Sequence, residues 1–199
     1  MRAARRSRET RETEVAIGLG LDAGSGSASR VDVPDGFFGH MLEALAKHGE
    51  LDLEVEARGD TAVDLHHTVE DVGLVLGETL AEALGERRGI TRFAHAYAPL
   101  DEALARAVID LSGRGFFVWD CPAELAPVWV TQEFPLTLVA DFFQAFADRG
   151  RLTMHLTILA GRNPHHVAEA AFKAAALALR QAVRIRGDGV PSTKGTLRA

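Results

Sequence analysis

His66-His67-Thr68-Val69-Glu70 and, about a hundred positions later, His165-His166-Val167-Ala168-Glu169 are near-copies of one motif. On a helix successive residues turn by about 100°, which puts each glutamate between its two histidines in azimuth. Each copy therefore aims two imidazoles and a carboxylate from one helical turn. These are metal-ligand types, and two matching sets predict a metal site built twice.

The duplication extends beyond the motif. Gly39-His40-Met41-Leu42 corresponds to Ala140-Asp141-Phe142-Phe143 at an offset of 101 positions. The same offset relates the alternating Leu51, Leu53 and Val55 to Leu152, Met154 and Leu156. Self-similarity of this kind marks repeated structural units. The chain reads as two related halves, residues 1–90 and 91–199, fused into one compact unit. Val15, Ile17, Leu19 and Leu21 recur with strand periodicity, and Gly24-Ser25-Gly26-Ser27 reads as the following turn. Residues 30–33 then read as the returning strand, closed by Pro34. A helix over 38–48 ended by Gly49, a strand over 51–57 and a helix over 66–84 stopped by Gly85 complete the first half. In the second half, 103–110 and 116–120 read as a hairpin around Ser112-Gly113-Arg114. Residues 136–148 read as a helix, 152–159 as a strand and 164–186 as a long Ala-rich helix. The expected fold class is α+β: two similar halves, each a sheet packed on two helices, related by internal duplication.

Composition narrows the function classes. The 199 residues are 47% hydrophobic and 25% charged, ordinary for a globular chain. No apolar run approaches the roughly 20 residues of a membrane span, so no membrane partner is expected. The basic start, Met1-Arg2-Ala3-Ala4-Arg5-Arg6, lacks an apolar stretch behind it and reads as a loose arm rather than a secretory signal. A net charge of −6 points away from nucleic acid, although Arg92, Arg114, Lys173 and Lys194 could converge on a small anion. The single cysteine, Cys121, fits a reducing cytoplasm and reads as an inert buried thiol. His48 and His95 read as ordinary helix or surface histidines, and His155 as a solvated strand residue. The doubled motif resists that bland reading. Imidazole with carboxylate and no thiolate suits Mn²⁺, Fe²⁺ or Zn²⁺. Adjacent histidines diverge in direction, so each pair is expected to serve two different metals. His40 is a further candidate ligand, and Asp141 is its polar counterpart in the repeat.

Taken with these motifs, several ordered stretches resemble imidazoleglycerol-phosphate dehydratases of histidine biosynthesis over nearly the whole chain. They are Arg8-Glu9-Thr10-Arg11-Glu12-Thr13, Gly36-Phe37-Phe38-Gly39-His40-Met41-Leu42, His66 to Asp71, and Pro99-Leu100-Asp101-Glu102. Asp110-Leu111-Ser112-Gly113-Arg114, His165 to Lys173, and Pro191-Ser192-Thr193-Lys194-Gly195 follow. The resemblance implies a hydro-lyase that converts imidazoleglycerol phosphate to imidazoleacetol phosphate and water with two Mn²⁺ ions. It also implies a cytoplasmic homo-oligomer of 24 subunits built from trimers, with active sites between subunits. The implied metal set is His40, His66, His67, Glu70, His165, His166 and Glu169. The implied phosphate set is Arg92, Arg114, Lys173, Ser192 and Lys194. Glu12 and Asp101 match positions facing the substrate, so Glu12 or Glu169 is expected to move the proton while Asp101 holds the hydroxyls. The proton leaves an unactivated carbon and the leaving group is hydroxide, so Lewis-acid metals would stabilise the charge that develops.

Two positions depart from the family's pattern. Gly39 stands where an Asp usually precedes the metal-binding His, and Ala140-Asp141 stands where Glu-His is usual. Asp141 can still ligate, with a shorter stem and an added negative charge. Gly39 is expected to remove an outer carboxylate and, as a helix N-cap, to cost little. Two readings follow: a dehydratase whose activity is weakened by Gly39 and Asp141, or a non-catalytic metal-binding oligomer of the same fold. A zinc hydrolase gains no support from the phosphate set.

Overall fold

Val15, Ile17 and Leu19 are buried along one face of a strand and stand opposite Ala57, Val55 and Leu53, as period-two alternation requires. A computed structural model describes residues 1–22, 29–125 and 127–197; the expected turn at Gly24-Ser25-Gly26-Ser27 lies outside them. The first half runs β1 (Ala3–Glu9), β2 (Thr13–Gly20), β3 (Arg30–Asp32), α1 (Gly36–Gly49), β4 (Asp52–Gly59) and α2 (His66–Leu84). The second runs β5 (Phe93–Leu100), β6 (Ala103–Asp110), β7 (Phe116–Asp120), α3 (Thr137–Gly150), β8 (Thr153–Ala160) and α4 (Pro164–Ala182). The sheets have matching orders, β1-β2-β4-β3 and β5-β6-β8-β7. The α+β fold with two similar halves is thus as the repeat predicts.

The halves interlock through their helices. Helix α2 packs on β1 and β2 of its own sheet and on α3 of the other half, while α4 packs on β5 and β6 and on α1. Gly73 and Gly77 let α2 approach α3 closely, since a Cβ at either would lie 2.6 Å from a backbone oxygen of Phe142 or Phe146. Phe38, Phe134, Phe142, Phe143, Phe146 and Phe172 fill the core between the helices, each such burial being worth about 1.5–3 kcal/mol. This crossing of helices between halves brings α1 beside α4 and α3 beside α2.

Several local expectations need correction. The arm is strand β1, paired antiparallel with β2, and Arg2, Arg5, Arg6 and Arg8 form ion pairs with Asp22, Glu54, Glu82 and Asp71. Its side chains are mostly exposed on both faces, so no apolar alternation betrays it. Residues 30–32 do not return along β2; they pair parallel with β4. Likewise β6 and β7 form no hairpin, because β8 lies between them and β7 pairs parallel with β8. Gly49 is the last helical residue of α1, and the left-handed cap is Glu50 (φ 52°); its repeat counterpart Arg151 (φ 50°) does the same for α3. The helix start is capped by Asp35, whose Oδ1 accepts from the Phe38 N–H at 2.7 Å, so Gly39 is a helical residue rather than the cap. Helix α4 stops at Ala182 because the chain then turns back, with Ile185 bridging Ile90. Cys121 is half-buried rather than buried, and burial, with Asp120 and Glu124 nearby, pushes its thiol up to about 11. No helix among the described residues is long and apolar enough to cross a membrane.

Candidate functional site

The histidine pairs sit in the first turns of α2 and α4. Asp64 Oδ1 accepts from the His66 N–H at 2.8 Å, and Asn163 Oδ1 accepts from the His165 N–H at 3.0 Å. Pro164 opens α4, where its missing N–H leaves no donor wanting.

One cluster forms where α1 meets α4. His40 Nε2 lies 3.6 Å from Glu169 Oε2, and His165 Nε2 lies 3.4 Å from the same oxygen. One ligand atom from each of the three residues falls within 4.8 Å of the others, close enough to share a single cation. Phe37 packs edge-on against the His165 ring at 5.1 Å and helps hold it in place. Lys173 Nζ contacts Glu169 Oε1 at 2.7 Å. Burial works to raise the Glu169 pKa, but Lys173 and the two histidines outweigh it and hold it below the usual value.

A second cluster forms where α3 meets α2, and the repeat relates it to the first. Asp141 takes the place of His40, His66 that of His165, and Glu70 that of Glu169. His66 Nδ1 lies 3.3 Å from Asp141 Oδ2, and His66 Nε2 lies 4.0 Å from Glu70 Oε2. The ring therefore stands between two carboxylates and turns a different nitrogen to each.

His67 and His166, the other members of the pairs, are held by other carboxylates. His67 Nδ1 lies 3.1 Å from Asp60 Oδ2 and 3.9 Å from Glu12 Oε2. The Asp60 hydrogen bond, with help from the Glu12 charge, raises the His67 pKa. His166 Nδ1 lies 2.8 Å from Glu102 Oε2, with Asp101 Oδ2 3.9 Å from its Nε2. With Nδ1–H donated to a carboxylate, each neutral ring keeps its lone pair on Nε2, the arrangement that orients metal-ligating histidines. Asp60 and Glu102 escaped sequence reasoning. Glu102 adjoins Asp101 in the stretch Pro99-Leu100-Asp101-Glu102, which is a signal for it; Asp60 sits in a loop without one.

The His166 hydrogen bond, supported by backbone N–H groups, lowers Glu102 from 4.5 to about 2. A depressed carboxylate stabilises the fold above its unfolded pKa, and that contribution disappears as the pH falls through the folded value. We therefore expect Glu102→Gln to destabilise the protein at neutral pH, with the deficit shrinking between about pH 4.5 and pH 2. Urea midpoints across that window check this; a deficit constant with pH would contradict it.

Four of the five expected anion-binding residues line one cavity of about 200 Å³: Arg92, Arg114, Ser192 and Lys194, together with Ser112 and Thr193. Lys173 is not among its lining residues and stays with Glu169. Arg92 is already committed, bidentate to Asp110 at 2.7 and 3.2 Å and donating to the Pro191 carbonyl at 2.7 Å. The buried Arg87 donates to the Leu197 carbonyl at 3.3 Å and the Gly150 carbonyl at 2.9 Å. Gly113 (φ 87°) lets Leu197 in, since a Cβ there would lie 1.9 Å from the Leu197 carbonyl oxygen. The segment carrying Ser192 and Lys194 is thereby fastened at both ends. Arg114 forms no ion pair among the described residues. A larger cavity, about 630 Å³, lies at the C-terminal end of α2 among Arg6, Glu78, Glu82 and Arg149 and holds none of the histidines.

Two solved structures share this duplicated α+β architecture, and both are dehydratases by name. Imidazoleglycerol-phosphate dehydratase from Staphylococcus aureus aligns with a TM-score of 0.79 at 33% identity, covering 92% of this chain and 99% of that one. The IGPD from Pyrococcus furiosus aligns with a TM-score of 0.81 at 33% identity, covering 96% and 99%. The family model for imidazoleglycerol-phosphate dehydratase matches residues 34–179. Relatives bearing that name include one from Acidiphilium cryptum, 53% identical over 98% of this chain and 99% of its own length. Another, from Ruegeria pomeroyi, is 48% identical over 99% of this chain and its full length. The chain belongs to the imidazoleglycerol-phosphate dehydratase family.

Proposed function

We propose that this chain is a working hydro-lyase of histidine biosynthesis that dehydrates imidazoleglycerol phosphate to imidazoleacetol phosphate. The observation that carries the reading furthest is the convergence of His40, His165 and Glu169 within 4.8 Å, with Asp141, His66 and Glu70 standing at the corresponding places of the repeat in a looser arrangement. The donors suit two divalent ions, with Mn²⁺ the expected one. The first cluster would hold one ion and the second cluster the other. When bound, the metals would supply Lewis acidity toward charge developing on the imidazole.

The chain's own residues divide the remaining work. Arg114, Lys194 and Ser192 bind the phosphate dianion, with Arg92 fastening the segment that carries the last two. Glu169, paired with Lys173, is held ionised and serves as a ligand. Glu12 is more exposed and lies beside His67, a position suited to moving the proton. Asp101, beside His166, holds the hydroxyls. His67 and His166, whose Nδ1 atoms are taken up by Asp60 and Glu102, offer Nε2 as a ligand and complete the clusters of a neighbouring subunit. Lys173, which does not line its own chain's phosphate cavity, likewise serves a neighbour. This reading supports a homo-oligomer, the 24-subunit assembly of trimers being the form the family resemblance implies. The non-catalytic alternative draws no support from relatives named as dehydratases.

If the ligands bridge subunits, removing metal should dissolve the assembly into smaller units. Sedimentation velocity before and after chelation tests this: a smaller species that reassembles with Mn²⁺ is expected, and an unchanged sedimentation coefficient after verified metal loss would contradict shared sites.

A further inference from the structure

The repeat offers an internal control that few metal sites have: the same scaffold position carries imidazole in one half and carboxylate in the other. Three differences separate the clusters. Within one chain the donors are two imidazoles and one carboxylate in the first, but one imidazole and two carboxylates in the second. The first is also partly neutralised, because Lys173 contacts Glu169 at 2.7 Å. The repeat places Leu74 opposite Lys173, and among the described residues neither Glu70 nor Asp141 pairs with a lysine or arginine. The first cluster thus carries a local charge near zero when its histidines are neutral, and the second carries two uncompensated negative charges.

The third difference is geometric. His40 Nε2 and His165 Nε2 face the same Glu169 oxygen, 3.6 and 3.4 Å away, so three donors are already gathered about one point. In the second cluster His66 presents Nδ1 to Asp141 and Nε2 to Glu70, at 3.3 and 4.0 Å. One ring cannot bring both carboxylates onto one ion without reorienting. The second cluster is also more open, its Glu70 side chain being 49% exposed against 13% for Glu169.

We infer that the two clusters are inequivalent metal sites: His40, His165 and Glu169 hold a borderline ion such as Mn²⁺ tightly, whereas Asp141, His66 and Glu70 form a harder, later-filling site that accepts Mg²⁺. The inference rests on the metal-dependent reading above and assigns to Asp141 the selection of the second ion. Imidazole nitrogen binds transition ions, Mn²⁺ included, in preference to Mg²⁺, whereas carboxylate oxygen suits Mg²⁺ and Mn²⁺ alike. Replacing imidazole by carboxylate therefore removes much of the discrimination against Mg²⁺. Reorientation of His66 on binding weakens the second site further.

The test is metal content rather than turnover. Metal-stripped protein is dialysed against limiting Mn²⁺ with a large excess of Mg²⁺, and both bound metals are counted per chain by mass spectrometry, with Mn²⁺ also read by electron paramagnetic resonance. The native protein should retain one Mn²⁺ and one Mg²⁺. Asp141→His should retain two Mn²⁺, and the reverse change in the first cluster, His40→Asp, should replace its Mn²⁺ by Mg²⁺. Titration of native protein with Mn²⁺ alone should resolve two affinities, separated by at least the roughly 10–100-fold that loss of a mere outer-shell partner produces. Two equal Mn²⁺ sites resistant to Mg²⁺ in the native protein would overturn the inference and leave the proposed function standing. Binding of neither metal would overturn both.

Discussion

Glu169→Gln lowers turnover by roughly 10³-fold, within the range typical for loss of a group on which stabilisation of developing charge depends. The size follows from what Glu169 holds together. One of its oxygens faces His40 and His165, and the other contacts Lys173 at 2.7 Å. The amide keeps the shape but loses the charge, so two imidazoles lose their shared carboxylate and Lys173 is left without its partner in a largely buried position. Removing one member of such a pair costs more than the pair contributes, because the remaining charge stays desolvated. Two readouts check the assignment: kcat, and bound Mn²⁺ in the first cluster, which falls in parallel. A variant with full metal content and turnover within about threefold of native would place the chemistry elsewhere.

Arg114→Met raises KM by roughly 10²-fold with a smaller change in kcat. Of the two arginines lining the phosphate cavity, Arg92 already spends its fork on Asp110 and Pro191. Arg114 is therefore the guanidinium left to receive the dianion. Hydrogen bonds to charged groups are worth about 1.5–3 kcal/mol each, so loss of one to two of them corresponds to this change. Because the phosphate is remote from the bond that breaks, its loss acts mainly through binding. Steady-state kinetics separate the two parameters. An unchanged KM, or a loss confined to kcat, would remove Arg114 from phosphate recognition.

The parts of this molecule that were legible from sequence share one property: they repeat. Apolar residues at three- and four-residue spacing and a stop at Gly85 predict a helix over 66–84, and α2 spans His66–Leu84. The equivalence of the two clusters follows the correspondence between the halves. That His40 meets His165 and Glu169, and Asp141 meets His66 and Glu70, is set by the packing of α1 on α4 and of α3 on α2, which the repeat does not reveal. Strands β1 and β5 were not legible. The first is polar on both faces and held by ion pairs, and the second buries alanines while exposing Phe93 and Tyr97. Strands β3 and β7 were legible as extended chain, but their partners were not. A short connection suggests a hairpin, whereas both strands bypass their sequence neighbours to pair parallel with β4 and β8. Of the outer carboxylates, Glu102 sits in the two-residue turn between the paired strands β5 and β6, beside the Asp101 that the sequence singles out, whereas Asp60 lies in a loop whose course only tertiary packing sets.

The most direct test of the central claim is dehydration of imidazoleglycerol phosphate by metal-stripped protein titrated with Mn²⁺. The account predicts no turnover without metal and recovery to roughly 1 s⁻¹ or more as the clusters fill. Absence of turnover from assembled protein shown to hold both metals would contradict it, and would leave a family member that keeps the fold without the reaction.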